Sequence, residues 1–177
     1  MAWYSKYLSI YEKPFSEVPD DVIISTRERL AAMQSDNPLV SIVVIAYNEG
    51  KRLAACLWSL SELQTSYPIE ILGVNNNSKD DTEEVYKALG VRYFNEMRQS
   101  PGFARQCGLD NSKGKYHFFI DADTFYPPHY VDTMMQTLEK PDVSCVGGFW
   151  SYYPDENHSA FGLWIFEFIR DTFLYIQ

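Results

Sequence analysis

Apolar positions along this chain alternate between two rhythms. From Leu39 to Glu49, "LVSIVVIAYNE" is a continuous β-branched run that stops at Tyr47-Asn48-Glu49. Runs of this kind mark strands buried on both faces, as in parallel sheets. "RLAACLWSLSEL" follows with Leu53, Cys56, Leu57 and Leu60 on one helical face. "IEILGVNNNS" reads as a second strand ending in polar residues. Ser78 and Asp80 then open a helix, "DDTEEVYKALG", with acids in its first turn and Gly90 to close it. "VRYFNE" is a short third strand, "GFARQCGLDNSKG" a helix and "YHFFIDAD" a fourth strand. "HYVDTMMQTLEK" is a further helix, and "VSCVGGFWSYY" a fifth strand.

Upstream, residues 1–15 are aromatic and polar without a clear period, and Pro14 and Pro19 interrupt them. Val22, Ile23, Leu30 and Met33 then follow helical spacing, with Asp20 or Asp21 available to cap the start. This predicts a helix packed on the outside of the domain. At the far end, Phe161, Trp164, Ile165, Phe168, Phe173 and Ile176 form a broad apolar helical face, with Glu167, Arg170 and Asp171 on the other. Packing on the sheet is the expected fate of that face. Lying on a membrane or docking a missing segment are its alternatives, and without that segment an exposed face would drive self-association; mixed charge does not suit anionic lipid. Strand and helix alternate at short intervals, which predicts an α/β domain with a mainly parallel sheet and helices on both faces. Ligands of such sheets sit beyond the carboxyl ends of the strands. Three strand ends carry polar groups and should line one crevice: Tyr47-Asn48-Glu49, Asn75-Asn76-Asn77-Ser78 and Asp121-Ala122-Asp123.

Net charge narrows the partners. At −9, the 177-residue chain repels phosphate backbones and excludes nucleic acid as a partner. A small phosphorylated ligand needs a cation or backbone dipoles to offset that repulsion. Cys56, Cys107 and Cys145 match no zinc spacing and no paired disulfide set, which reads as three reduced thiols of a cytoplasmic protein. The N-terminus lacks the basic-then-apolar layout of a signal peptide, and no apolar run reaches the roughly 18 residues of a membrane span.

Asp121 and Asp123 carry the sharpest chemical hint. Two carboxylates one residue apart are either a solvated strand end or ligands of a hard cation such as Mg²⁺ or Mn²⁺, whose open positions substrate phosphates fill. Asn75 and Asn76, nearest their strand end, suit the donor and acceptor edge of a nucleobase, whereas Asn77 and Ser78 suit a turn. Tyr47 offers a stacking face or a core ring. Arg105 can pair with a phosphate or an aspartate, or stand as a surface arginine. "AYNEGKRL" lacks the Gly-x-Gly-x-x-Gly that a dinucleotide-dependent oxidoreductase needs after its first strand.

Taken together, "VSIVVIAYNE", "VNNNSKDDT", "GFARQCGLDNSKGKYHFFIDADT" and the later "VGGF" resemble, in order and interval, the inverting nucleotide-sugar glycosyltransferases of family 2. The resemblance runs from about Leu39 to about Phe149. It implies a Rossmann-like GT-A nucleotide-binding fold over 39–150, after an N-terminal extension with a packed helix (1–38) and before an aromatic-rich C-terminal helix (151–177) that begins the acceptor side. It implies transfer, with inversion, from a nucleoside-diphosphate sugar, a UDP-sugar by preference, to a carbohydrate or lipid-linked acceptor. Ala46, Tyr47, Asn48, Glu49, Asn75, Asn76, Arg105, Asp121 and Ala122 would then hold the nucleotide sugar. Asp121 and Asp123 would hold Mg²⁺ or Mn²⁺. Asn75 and Asn76 stand where the family often has Asp, and Gln106 where it usually has Asn. The family's catalytic base lies well downstream of the Asp-x-Asp. Here the acids after Phe149 are Asp155, Glu156, Glu167 and Asp171, none in the expected setting, so the expectation is a nucleotide-binding half truncated before its base. The alternative is a non-catalytic nucleotide-binding module.

Overall fold

The computed structural model describes residues 2–154 and 157–176. Its first compact unit runs to Gln136, and a second begins at Thr137.

The first unit is built on four parallel strands: β1 (Val40–Ala46), β2 (Ile69–Asn75), β3 (Arg92–Asn95) and β4 (Tyr116–Asp121), in the order β3-β2-β1-β4. Both central strands are buried along most of their length, as continuous apolar runs require. Five helices belong to the chain up to this unit's end: α1 (Asp20–Met33), α2 (Leu53–Leu60), α3 (Thr82–Ala88), α4 (Pro101–Asn111) and α5 (Tyr130–Leu138), whose last turn carries the division between units. This is the expected α/β architecture.

Two glycines set the approach of helices on opposite faces of the sheet. A Cβ at Gly73 of β2 would lie 2.4 Å from the Tyr86 ring of α3. A Cβ at Gly108 of α4 would lie 2.3 Å from Val43 Cγ1 of β1. On the α4 face, Val43, Leu72, Val74 and Ala104 form one buried cluster, with Ile45, Phe94 and Cys107 packed against it. On the other face Tyr86 is fully buried and its hydroxyl donates to the Val44 carbonyl at 3.1 Å.

Helix α2 is buried on more than the single face its spacing predicts: Ala54, Ala55 and Ser59 are also within the core. Ser59 accepts the Tyr126 N–H at 3.1 Å, and the N-terminal segment packs against other residues of the helix and its end. Short 3-10 turns at Tyr7–Ser9 and Phe15–Glu17 carry Tyr7 and Ile10 into the interior. Tyr7 meets Trp58 of α2 edge-on at 5.2 Å, and its hydroxyl donates to Glu62 at 2.8 Å. Lys6 and Arg29 pair with the same carboxylate. The segment expected to be an extension is thus part of the first unit. Asp20 and Asp21 are not caps; Pro19 takes that position and the two acids sit in the first turn of α1.

In the second unit, residues 143–153 form no strand, contrary to the fifth strand expected there. A strand needs a neighbouring ladder to accept its backbone groups; here the Tyr152 N–H donates to the Glu167 carboxylate at 2.6 Å instead. Helix α6 (Ala160–Ile176) holds this segment with its charged side. The Arg170 guanidinium lies 4.9 Å from the Trp150 ring centroid, and Tyr152 packs on Phe166. Phe161, Trp164 and Phe168 of the expected apolar face stack in a row along the helix. Phe173 and Ile176 of the same expected face, and the acids Asp155 and Glu156, lie outside the described side chains. Among the described residues no helix is long and apolar enough to cross a membrane.

Candidate functional site

β1 is followed in space by β2 and β3 on one side and by β4 on the other, so the order reverses between β1 and β4. Loops leaving the carboxyl ends of two such strands diverge to opposite faces and leave a crevice between them. Register places Asn75 beside Ala46 and Asp121 beside Ile45, so the polar strand ends share one edge. A cleft of about 540 Å³ opens there. The β1 end lends Ile45, Tyr47 and Glu49 to its lining. The β2 end lends Asn76, the entry to α4 lends Gln99, Ser100, Pro101 and Arg105, and the β4 end lends Asp121, Ala122 and Asp123.

Ala46, Asn48 and Asn75, expected as ligand contacts, do not line the cleft. Ala46 is buried, and its carbonyl accepts the Asn76 N–H at 2.9 Å. Asn48 adopts φ 56°, takes the Lys79 N–H on its Oδ1 at 2.8 Å and gives its own N–H to Ser78 Oγ. Asn75 donates to Asn95 Oδ1 and accepts from the Ser78 N–H. These residues lace the loop after β1 to the loop after β2. Two further bonds complete the lacing: Glu49 N–H to Thr82 Oγ1 at 2.8 Å and Gly50 N–H to Asp80 Oδ2 at 2.9 Å. Asp80 also takes the Thr82 N–H, so α3 starts two residues after the expected Asp80.

Asn76 is oriented by the loop that follows β3. Its Nδ2 donates to the Glu96 carbonyl at 3.1 Å and the Arg98 carbonyl at 2.9 Å. Both amide protons are therefore engaged, and the acceptor Oδ1 is the end left for a ligand. Arg98 grips Glu96 through Nε and Nη2 at 2.9 and 2.8 Å, which holds the Glu96 carboxyl down to about 2. The helix expected from Gly102 starts at Pro101, and Gln99, Ser100 and Pro101, none of them among the expected site residues, line the cleft. The available signal was the Ser-Pro pair: Ser100 caps the helix by accepting the Gly102 N–H, and Pro101 takes the first helical position. The positive end of α4 thus opens on the cleft, with Arg105 exposed one turn in.

The strand ends at Asp121, and Ala122 and Asp123 lie in a turn. It is this turn, and not the alternation of side chains along a strand, that brings both carboxylates into the cleft. Asp121 is anchored through its backbone. Its N–H donates to the Tyr126 hydroxyl at 3.1 Å, and its carbonyl accepts from Tyr126 at 3.3 Å and from the Cys56 thiol at 3.7 Å. Burial, and then Asp123, Asp121 and Glu49, push the Cys56 thiol well up, so it stays protonated. Burial also pushes the Glu49 carboxyl up; Arg52 opposes this, while Asp123 and Asp80 reinforce it.

Among the described residues no three His, Cys, Asp or Glu side chains are arranged to enclose an ion. The donor set at Asp121 and Asp123 is instead two hard oxygen ligands facing open space. That suits Mg²⁺ or Mn²⁺, which keep positions for water and phosphate. The two remaining downstream acids lie in the second unit, where Glu167 accepts from Tyr152 and Asp171 pairs with Arg170.

A parallel sheet with an acidic cleft at its switch point defines the class first: an α/β domain of Rossmann-like build. The chain belongs to glycosyl transferase family 2, whose sequence model matches residues 41–176. An uncharacterized glycosyltransferase of Rickettsia prowazekii (strain Madrid E) is 34% identical over 108 residues, covering 60% of this chain and 34% of that protein. The mannosyltransferase PcManGT from Pyrobaculum calidifontis, solved with GDP-Man and Mn²⁺, matches with a TM-score of 0.55 at 18% identity, over 81% of this chain and 47% of that one. Glucosyl-3-phosphoglycerate synthase from Mycobacterium tuberculosis, solved with Mn²⁺ and UDP-Glc, matches with a TM-score of 0.50 at 21% identity, over 71% and 46%. At such identities the likeness to the solved structures is one of fold. This chain spans less than half the length of each of the three.

Proposed function

We propose that the first unit is the donor-binding half of a metal-dependent glycosyltransferase that takes a nucleoside-diphosphate sugar, UDP-linked by preference, and transfers the sugar with inversion to a carbohydrate or lipid-linked acceptor. The observation that carries this reading is the convergence of Asp121 and Asp123 with Tyr47, Glu49, Asn76 and Arg105 in one cleft at the switch point. Nucleotide-bound relatives of the same fold support it.

Each residue has a stated task. Tyr47 presents a half-exposed ring on which a base can stack. The Asn76 Oδ1 accepts a base N–H, a donor that uracil has at N3 and cytosine lacks. Arg105 and the amino end of α4 draw the diphosphate. Asp121 and Asp123 hold Mg²⁺ or Mn²⁺, which neutralises the departing diphosphate as a Lewis acid. Without that ion, the same two carboxylates and Glu49 repel the phosphates.

Calorimetric titration tests the reading. UDP should bind with Mn²⁺ and fail to bind in EDTA, CDP should bind more weakly than UDP, and Asp123→Ala should abolish the Mn²⁺-dependent heat. UDP affinity indifferent to Mn²⁺ and to Asp123→Ala would overturn it. Release of UDP from a panel of sugar donors separates an enzyme from a module that binds without turnover.

A further inference from the structure

The N-terminal segment does more than cover α2. The Tyr11 hydroxyl donates to the backbone carbonyl of Asp123 at 3.0 Å, across 112 positions of sequence. Two residues further on, Phe125 is enclosed by three tyrosines of the same segment. Tyr4 stacks on it at 6.5 Å, Tyr7 tilts against it at 5.5 Å and Tyr11 meets it edge-on at 5.1 Å. The turn that carries Asp123 is therefore gripped on its outer side, while Asp121 is anchored from the inside by Tyr126.

A second tether runs to the other wall of the cleft. Glu12 takes φ 61°, a left-handed conformation that a residue with a Cβ ordinarily avoids. From there its carboxylate meets Arg52 Nε at 2.6 Å, and Arg52 Nη1 reaches Glu49 at 3.3 Å. Adjacent residues of one segment thus reach both acidic walls of the cleft, Tyr11 directly and Glu12 through Arg52. The family match begins at residue 41, so the segment making these contacts lies outside it.

The geometry points to Tyr11 as a positioning residue for the cation site, with Phe125 as the anchor through which the N-terminal segment holds the Asp121–Asp123 turn. This rests on the reading of the cleft given above. Two carboxylates drawn together without an ion repel each other, and a turn free to splay relieves that repulsion. Fixing the Asp123 peptide from outside keeps its carboxylate in the cleft, so less ordering remains to be done when the ion and diphosphate arrive. Tyr11 touches neither substrate nor ion in this role; it acts through the backbone of Asp123.

Tyr11→Phe removes the hydroxyl and leaves the ring against Phe125. Free Mn²⁺ measured by electron paramagnetic resonance, titrated against the full chain in the presence of UDP, should show affinity weakened roughly threefold to tenfold, the scale of one lost hydrogen bond. Phe125→Leu should weaken it in the same direction. Glu70→Gln is the structural control: it weakens the cluster with Ser41, Lys113 and Arg92 at the opposite end of the sheet, and should lower Tm while leaving Mn²⁺ affinity unchanged. Mn²⁺ affinity in Tyr11→Phe and Phe125→Leu equal to wild type overturns this inference alone. Equal weakening by Glu70→Gln overturns it too, because the segment would then act only through stability. Wild-type protein that takes up no Mn²⁺ with UDP overturns the reading of the cleft, and this inference with it.

Discussion

Glu49 shows how a cleft residue can lower the stability of the protein that carries it. Its carboxyl is raised by burial and by Asp123, against the pull of Arg52. A carboxyl whose folded pKa lies above its unfolded one binds its proton more tightly when folded. Stability then falls as pH rises from the ordinary carboxylate range through the folded value, and below that range the penalty is absent. Glu49→Gln should therefore raise the Tm of the metal-free protein at neutral pH, with the gain fading as pH drops through the carboxylate range; parallel melts from pH 3 to pH 8 check this. A gain that persists at low pH would mean that charge is not its cause. At the same scale, Asn75 and Asn76 are neighbours with identical side chains and different employment. Both stood out in the sequence as polar residues at a strand end. Which of the two turns into the cleft depends on the end of β3 and the loop after it, since Asn95 takes the amide of one while the carbonyls of Glu96 and Arg98 take that of the other.

Among the elements, α4 matters most to the cleft, because it sets both Arg105 and the helix end that faces a diphosphate. Its distance from β1 depends on Gly108. Alanine there gains up to about 1 kcal/mol of helix propensity. It also places a methyl 2.3 Å from Val43 Cγ1, and overpacking of a tight contact costs about 1–3 kcal/mol. Gly108→Ala should lower stability in urea melts, and the loss should shrink when Val43→Ala is combined with it, a non-additivity expected only of residues in contact. The helix itself was legible from its period. Its start was missed because a Ser-Pro cap carries no apolar signal. Likewise "VSCVGGFWSYY" has strand composition, yet strand formation depends on a partner ladder, and Tyr152 finds the Glu167 carboxylate instead.

On the scale of the whole molecule, an acidic chain folds around an acidic cleft, so ligand and stability should be linked through the cation. UDP and Mn²⁺ together, at about a hundredfold their Kd, should stabilise the first unit by about 2.7 kcal/mol and raise its Tm by about 5–10 °C. UDP in EDTA should leave Tm unmoved; a full shift in EDTA would show that the carboxylates need no ion. The sequence by itself determined the alternation of strands and helices, the parallel sheet and the polar strand ends along one edge. Each of these follows from the spacing of residues within a single element, and spacing is a local property. Only the tertiary structure decided which polar side chains enter the cleft, that Asp123 reaches it from a turn, and that Tyr11 and Glu12 close on it from the far end of the chain. Those outcomes depend on contacts between segments distant in sequence, and no period within one segment records its partner in another.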